Sequence, residues 1–291
     1  MSSASPSPSP SPAIDNKLLL HLEKELKSRN FILPSLPDSA QKVQSAINNP
    51  NVDSNQIAKI IGTDPVLSGR IIQAANSPLF RGLDRIEDLK NAVSRLGLVC
   101  VRNLVISLTV TKLYKGQGKK FLKDKMRLIW SLSIKVAAMS EVLARNCKRI
   151  DPAEAMLAGL LHNIGAIPVL AKCAQTNIND TYTDALDEAL IKLEPELGSW
   201  IMDQWQLREA LSSVPVNIAD TDRSHDGPAD YSDIVQVARL HAYRGTKHPL
   251  AKIKWAGIPA FEKLNLTPEE SINAIKEAQA DIKEVMQMLR S

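Results

Sequence analysis

His162 and Asn163 stand side by side within AMLAGLLHNIGAIPVL, residues 155–170, a stretch that is otherwise almost wholly apolar. A helix apolar on every side is a buried helix. A polar pair inside it must be satisfied by the fold or serve as a site. An imidazole beside a carboxylate is a known way to hold a divalent metal, which then lowers the pKa of a bound water for attack on a phosphate ester. Here the imidazole's neighbour is an amide, which brings no negative charge.

The other histidines are His21, His225, His241 and His248. Ser224-His225-Asp226-Gly227 is a second His–Asp pair, in a polar loop without a helical scaffold. No GxxxxGK[ST] or GxGxxG loop is present to cradle phosphates, and no Ser/His/Asp arrangement has local support. Cys100, Cys147 and Cys173 form no CxxC pair and read as free thiols in a reducing compartment. Residues 112–127 hold seven basic side chains and one acidic. Such a run grips phosphates or an acidic partner, or is a solvated helix face; it carries no nucleic-acid-reading signature.

The elements that must position these residues read as helices throughout. Leu18, Leu19, Leu22 and Leu26 share one helical face, in a helix ending near Asn30. FILPSLP is extended. Helices follow over residues 38–49, from Asp53 with Gln56 closing a capping box, and from Asp64-Pro65 to about Asn76, where Ser77-Pro78 stops it. Residues 86–96 and 98–113 make two more, split at Gly97, and 121–147 a long one. Asp151-Pro152-Ala153-Glu154 opens the central stretch, read as one buried helix. Helices over 180–192, 195–206 and 231–243 come next, and Thr267-Pro268-Glu269-Glu270 starts a final one to about Leu289. Residues 214–218 come nearest to a strand and are too short for one. The fold class is all-α, with two packed helical lobes. The expected organisation is a Ser/Pro tail over 1–13, an N-terminal lobe over 14–115, a second lobe over 116–245 and a helical extension over 246–291.

At 291 residues and 44% hydrophobic the chain can bury a sizeable core, and its net charge of +4 is too small to imply a polyanionic partner. No apolar run approaches a membrane span, and SSASPSPSPSP lacks the regions of a signal peptide. A cytoplasmic protein that meets no membrane is expected.

Gly159-Leu160-Leu161-His162-Asn163-Ile164-Gly165 resembles the GLLHDIG core of the HD phosphohydrolase superfamily. More of the chain resembles one branch, the HDOD (HD-related output) domains. Leu33-Pro34-Ser35-Leu36-Pro37 is similar to that family's opening LPxLP. Asp64-Pro65-Val66-Leu67-Ser68 with Asn76-Ser77-Pro78 is similar to its DPxLS…NS segment. Val101-Arg102-Asn103-Leu104-Val105, Trp130, Ser133, Glu196-Leu197-Gly198 and Trp205 continue the order, over roughly residues 30–245.

The resemblance implies metal ligands at Leu132, His162, Asn163 and Arg239, and a His-His pair where Pro215-Val216-Asn217 stands. One ligand of the four, His162, is of a suitable type, and Arg239 brings a repelling charge. The resemblance therefore implies a non-catalytic signalling module, with no catalytic residue, metal or cofactor. Its partner would be a protein of a bacterial signalling pathway: a sensor kinase, a response regulator or a cyclic-dinucleotide enzyme. Asp64, Asn76, Lys119, Lys120 and Lys123 are the partner-binding candidates, although Asp64 and Asn76 are already explained as a cap and a stop. Nucleic acid is not expected as the partner. The competing expectation is a metal-dependent phosphohydrolase with an atypical ligand set, His162 joined by His225 or His241.

Overall fold

The computed structural model describes residues 12–77, 80, 84–176 and 183–290, and among these every regular element is helical. The chain begins with α1 (Pro12–Lys27), α2 (Asp38–Ile47), α3 (Ser54–Ile61), α4 (Pro65–Ala75), α5 (Leu89–Leu96) and α6 (Leu98–Thr109). A 3₁₀ turn, Val110–Tyr114, leads to the long α7 (Lys120–Ala144). Then come α8 (Pro152–Leu161), α9 (Ala166–Ala174), α10 (Thr183–Gln204), α11 (Glu209–Ser212), α12 (Val214–Asn217) and α13 (Tyr231–Tyr243). A second 3₁₀ turn, Pro249–Lys252, precedes α14 (Pro259–Lys263), α15 (Pro268–Glu277) and α16 (Gln279–Arg290).

The starts follow local chemistry. Asp53 accepts from the Gln56 amide at 2.8 Å while its own amide donates to Gln56 Oε1 at 3.2 Å, the reciprocal box expected. Asp64 accepts from the amides of Val66 and Leu67, with Pro65 at the first helical position. Asp151 does the same for Ala153 and Glu154, and Thr267 closes a box with Glu270. Gly97, at φ +77°, turns α5 into α6 where a side chain would be strained.

The expectations that fail do so where packing overrides sequence. Residues 155–170 do not make one helix: α8 ends at Leu161, and α9 starts at Ala166 after a tight turn. Pro195 does not divide helices; α10 runs through it. Proline removes one intrahelical donor, but α9 and α12 flank α10 and hold it. The C-terminal helix is two, broken at Ala278, and both halves lie on α7. Residues 214–217 are a helical turn. α1 starts at Pro12, within the expected tail; the tail's first eleven residues, Pro78 of the expected stop and residues 180–182 of an expected helix lie outside the described residues.

α7 and α8 form the centre. Every residue of α8 from Ala153 to Leu161 is buried, and α6, α7 and α13 pack around it. One apolar core runs from Leu19 to Leu289 across both expected junctions, 115/116 and 245/246. Residues 152–174 are long and apolar enough to cross a membrane by composition, yet 83% of the apolar window is buried inside the fold.

Candidate functional site

The turn between α8 and α9 exists because backbones meet there. A Cβ on Gly165 would stand 2.1 Å from the carbonyl oxygen of Glu194 and 2.6 Å from the amide nitrogen of Gly198. Only glycine permits α10 to press so close. Gly159 plays the same part toward α7, where a Cβ would meet Ser140 Oγ at 2.7 Å. Between these two glycines the helix is stopped, and His162 and Asn163 are carried into the interior, 2% and 1% exposed.

His162 Nδ1 lies 2.6 Å from the carbonyl oxygen of Gly159. A carbonyl only accepts, so Nδ1 carries the proton and Nε2 keeps the lone pair. Nε2 is buried without a hydrogen-bond partner. Burial, then the charge of Arg239, push the imidazole's pKa down to about 3, so it is neutral. Asn163 is held from α7 and from the preceding 3₁₀ turn. Its Oδ1 accepts from Ser133 Oγ at 2.5 Å and from the hydroxyl of Tyr114 at 3.4 Å. Its Nδ2 is buried and unpartnered.

Arg239 comes in from α13. Its guanidinium donates to the carbonyl of Ile218, reaches Gln236 Oε1 at 3.5 Å and lies 5.8 Å from the centre of the Tyr243 ring. Its Nε is buried without a partner. Tyr243, whose ring centre is 6.4 Å from that of His162 and 4.5 Å from that of His248, lies beside both Asn163 and Arg239. On the α10 side stands Glu194. Burial raises its pKa to about 8, with the charges of Arg239 and Lys125 pulling the other way.

Three of the four positions implied by resemblance thus meet: His162, Asn163 and Arg239. On α7, Ser133 reaches the site; its neighbour Leu132 packs, half-buried, on the apolar core. To a divalent cation the group offers one imidazole lone pair, an amide oxygen already accepting from Ser133 and Tyr114, and a guanidinium. It supplies no carboxylate of ordinary acidity. Sequence reasoning missed Tyr243, Tyr114, His248 and Glu194. Their signal is weak, because an aromatic or a lone Glu in a helical pattern has no distinctive spacing.

His241 and His225 are committed elsewhere, and His21 is exposed on α1. His241 Nε2 meets Ser271 Oγ at 2.9 Å, and its ring packs edge-on to Trp255. His225 faces Asp233 at 3.0 Å; it meets its expected partner Asp226 through the backbone carbonyl. Among the described residues, His225, Asp230 and Asp233 are the one group of three possible metal-ligating side chains, and His162 is outside it. Arg223 already bridges both aspartates, which also cap α13.

Asp64 caps α4, and the Asn76 amide bridges both the N–H and the carbonyl of Ile86, so both polar heads have structural partners. Lys119, Lys120 and Lys123 are exposed at the N-terminal end of α7, whose first turn holds no acidic residue.

The HDOD domain model matches residues 33–217. An uncharacterized protein of Treponema pallidum is 27% identical over 199 residues, which are 68% of this chain and 33% of that protein; this chain therefore spans about a third of the relative's length. A Shewanella amazonensis structure with the provisional name metal-dependent phosphohydrolase superposes with a TM-score of 0.80 at 27% identity, covering 94% of this chain and 99% of that one. An HDOD protein of unknown function from Geobacter sulfurreducens gives 0.63 at 21% identity, covering 95% and 98%. A Marinobacter aquaeolei structure provisionally named a signal transduction protein gives 0.60 at 21%, covering 96% and 66%. With its family segments laid along one helical fold and matched over most of its length, the chain belongs to the HDOD domain family.

Proposed function

We propose that this chain is a non-enzymatic regulatory module that acts in the cytoplasm of a bacterium by binding a protein of a signalling pathway. One observation carries the reading: the group at the heart of the fold sets His162 beside an amide and near a guanidinium, a set that offers a catalytic cation one imidazole lone pair and no carboxylate of ordinary acidity. A metal that generates hydroxide for attack on a phosphate ester calls for three or more ligands of suitable type, and of this group His162 alone is one. The provisional name of the Marinobacter relative adds support for signalling.

The partner-facing surface we favour is the start of α7. Lys112, Lys115, Lys119, Lys120, Lys123 and Arg127 are exposed there over residues 112–127, and Asp124, beside Arg127, is the one acid. Like charges gathered at a helix N-terminus, where the dipole is already positive, oppose local stability. Such a conflict is expected where function demands it, and it suits an acidic protein face. The triple charge reversal K119E/K120E/K123E is expected to abolish capture of the partner by the full-length chain without lowering helicity or melting temperature, since acidic side chains suit a helix N-terminus. Undiminished capture would remove this surface. Phosphodiester hydrolysis lost on His162→Ala would overturn the whole reading and favour the metal-dependent phosphohydrolase instead.

A further inference from the structure

We propose that the groove between α4 and α16 is a second interaction surface, and that it takes a basic amphipathic helix of a partner protein. α4 packs on α5 and α6, whereas α16 lies on α7. A groove of about 940 Å³ is left between α4 and α16, bounded also by residues 84–87 and by Arg145, just beyond α7. Its floor is apolar, with Ile72 on α4, Ile86, and Val285 and Met288 on α16. Gly69 is the first sign of an occupant. It is exposed in the middle of α4, where glycine weakens a helix. Beyond its own helix backbone a Cβ there would meet nothing within 4 Å, so no contact inside the chain calls for glycine. Val66, one turn earlier on the same face, is apolar yet 69% exposed. Bare backbone next to an uncovered valine suits a neighbour that comes close from outside the chain.

Charge names the kind of neighbour. The carboxylates of Asp84, Glu87, Asp281 and Glu284 line the groove against the guanidiniums of Arg85 and Arg145. Arg145 is already committed: it donates to both carboxylate oxygens of buried Glu141 at 2.8 Å and pairs with Asp281. The groove is therefore acidic on a chain of net charge +4, the reverse of the lysine cluster at the other end of α7. Carboxylates around an apolar floor complement basic side chains around an apolar stripe. The lining stretches, residues 69–77 along and just after α4 and residues 281–288 of α16, each cover about two helical turns, or roughly 10 Å. That is the length over which a docked helix presents anchors at i, i+3 or i+4, and i+7. A small-molecule site is lined mainly by apolar and aromatic groups; no aromatic ring is among the described residues that line this groove.

This surface is separate from the start of α7 and does not depend on what binds there. Its test uses the full chain and a labelled helical peptide of leucine and lysine with one apolar face, about 18 residues or five turns long, followed by fluorescence anisotropy. A leucine and glutamate peptide with the same apolar face is the control. The Leu/Lys peptide is expected to bind about tenfold more tightly than the Leu/Glu peptide, and more weakly as salt is raised. Gly69→Leu fills the groove from an exposed position. It is expected to raise the melting temperature by about 2 °C, because leucine is the better helix former, and to weaken the Leu/Lys peptide about tenfold. D84K/E87K changes only exposed side chains, and is expected to weaken the peptide about tenfold while melting within about 2 °C of wild type. Equal binding of the two peptides, or undiminished binding by either variant, would overturn the proposal. So would a mass that rises with concentration in wild type and not in Gly69→Leu, since the occupant would then be a second copy of this chain. If Gly69→Leu melts below wild type, D84K/E87K decides alone.

Discussion

The hydroxyl of Ser133 on α7 lies 2.5 Å from the amide oxygen of Asn163, so the central helix and the turn beyond α8 are joined by one buried polar bond. Tyr114 approaches the same oxygen from the preceding 3₁₀ turn. Replacing Asn163 by Ala removes the acceptor shared by two buried hydroxyls. The expected loss is about 2 kcal/mol in unfolding free energy, measured by denaturant titration. Ser133→Ala leaves Tyr114 as a donor to Asn163 and is expected to cost less. Equal and negligible losses would mean that the polar cluster does not hold the turn.

Gly165 admits the backbone of α10 more closely than any side chain allows. Gly165→Ala is expected to prevent folding or to cost more than about 3 kcal/mol, since backbone on both sides must move. Gly198→Ala meets the Pro215 ring at 3.0 Å and the Gly165 amide nitrogen at an ordinary 3.6 Å, and is expected to be milder. Expression yield and thermal melting of the two variants give the order; the reverse order would contradict the packing described.

Glu154 is 3% exposed and gathers three donors from three parts of the chain: Arg102 on α6, Arg208 before α11 and the Tyr231 hydroxyl on α13 at 2.6 Å. Glu154→Leu leaves the part-buried Arg102 without its carboxylate, and is expected to cost about 3 kcal/mol. Arg208 is more than half exposed and its pair is screened by solvent, so Arg208→Ala is expected to cost less than about 1 kcal/mol. A double-mutant cycle on Arg102 and Glu154 separates the terms.

Stability is expected to peak between about pH 6 and 7. Burial holds His162 at about 3, and His241 and His248 at about 4, all below their ordinary 6.5. Below 6.5 the unfolded chain takes up these protons first, so stability falls as the pH drops toward 4. For His162 the slope is about 1.4 kcal/mol per pH unit. Glu194 acts in the opposite sense. Raised from 4.5 to about 8, it binds its proton more tightly when folded, so its contribution is complete below 4.5 and is lost as the pH rises through 8. Denaturant midpoints from pH 4 to 9 check the shape. His162→Gln should flatten the acid limb and Glu194→Gln the alkaline limb; profiles unchanged by both would contradict the assignment.

Much of this was legible in the sequence because it is local. Asp53, Asp64, Asp151 and Thr267 announce their helices through side-chain bonds that span three residues, and all four form as read. The family segments also sit in order along the chain. What was not legible depends on contacts between distant residues. Nothing near Gly165 says that the carbonyl of Glu194 will press on it, so the break at His162 reads as continuous helix. Pro195 reads as a stop because its flanking helices are not visible locally. Within the site, Arg239 and His162 come from motif positions, whereas Tyr243 and Glu194 are brought in by the packing of α13 and α10 alone.

The most direct test of the non-catalytic reading is elemental analysis of untagged protein purified without chelators. The account expects less than about a tenth of an equivalent of Mn, Fe, Ni or Zn, unchanged after metal loading, because a bound structural or catalytic ion would survive purification. Near one equivalent, lost in His162→Ala, would contradict it and make His162 a metal ligand.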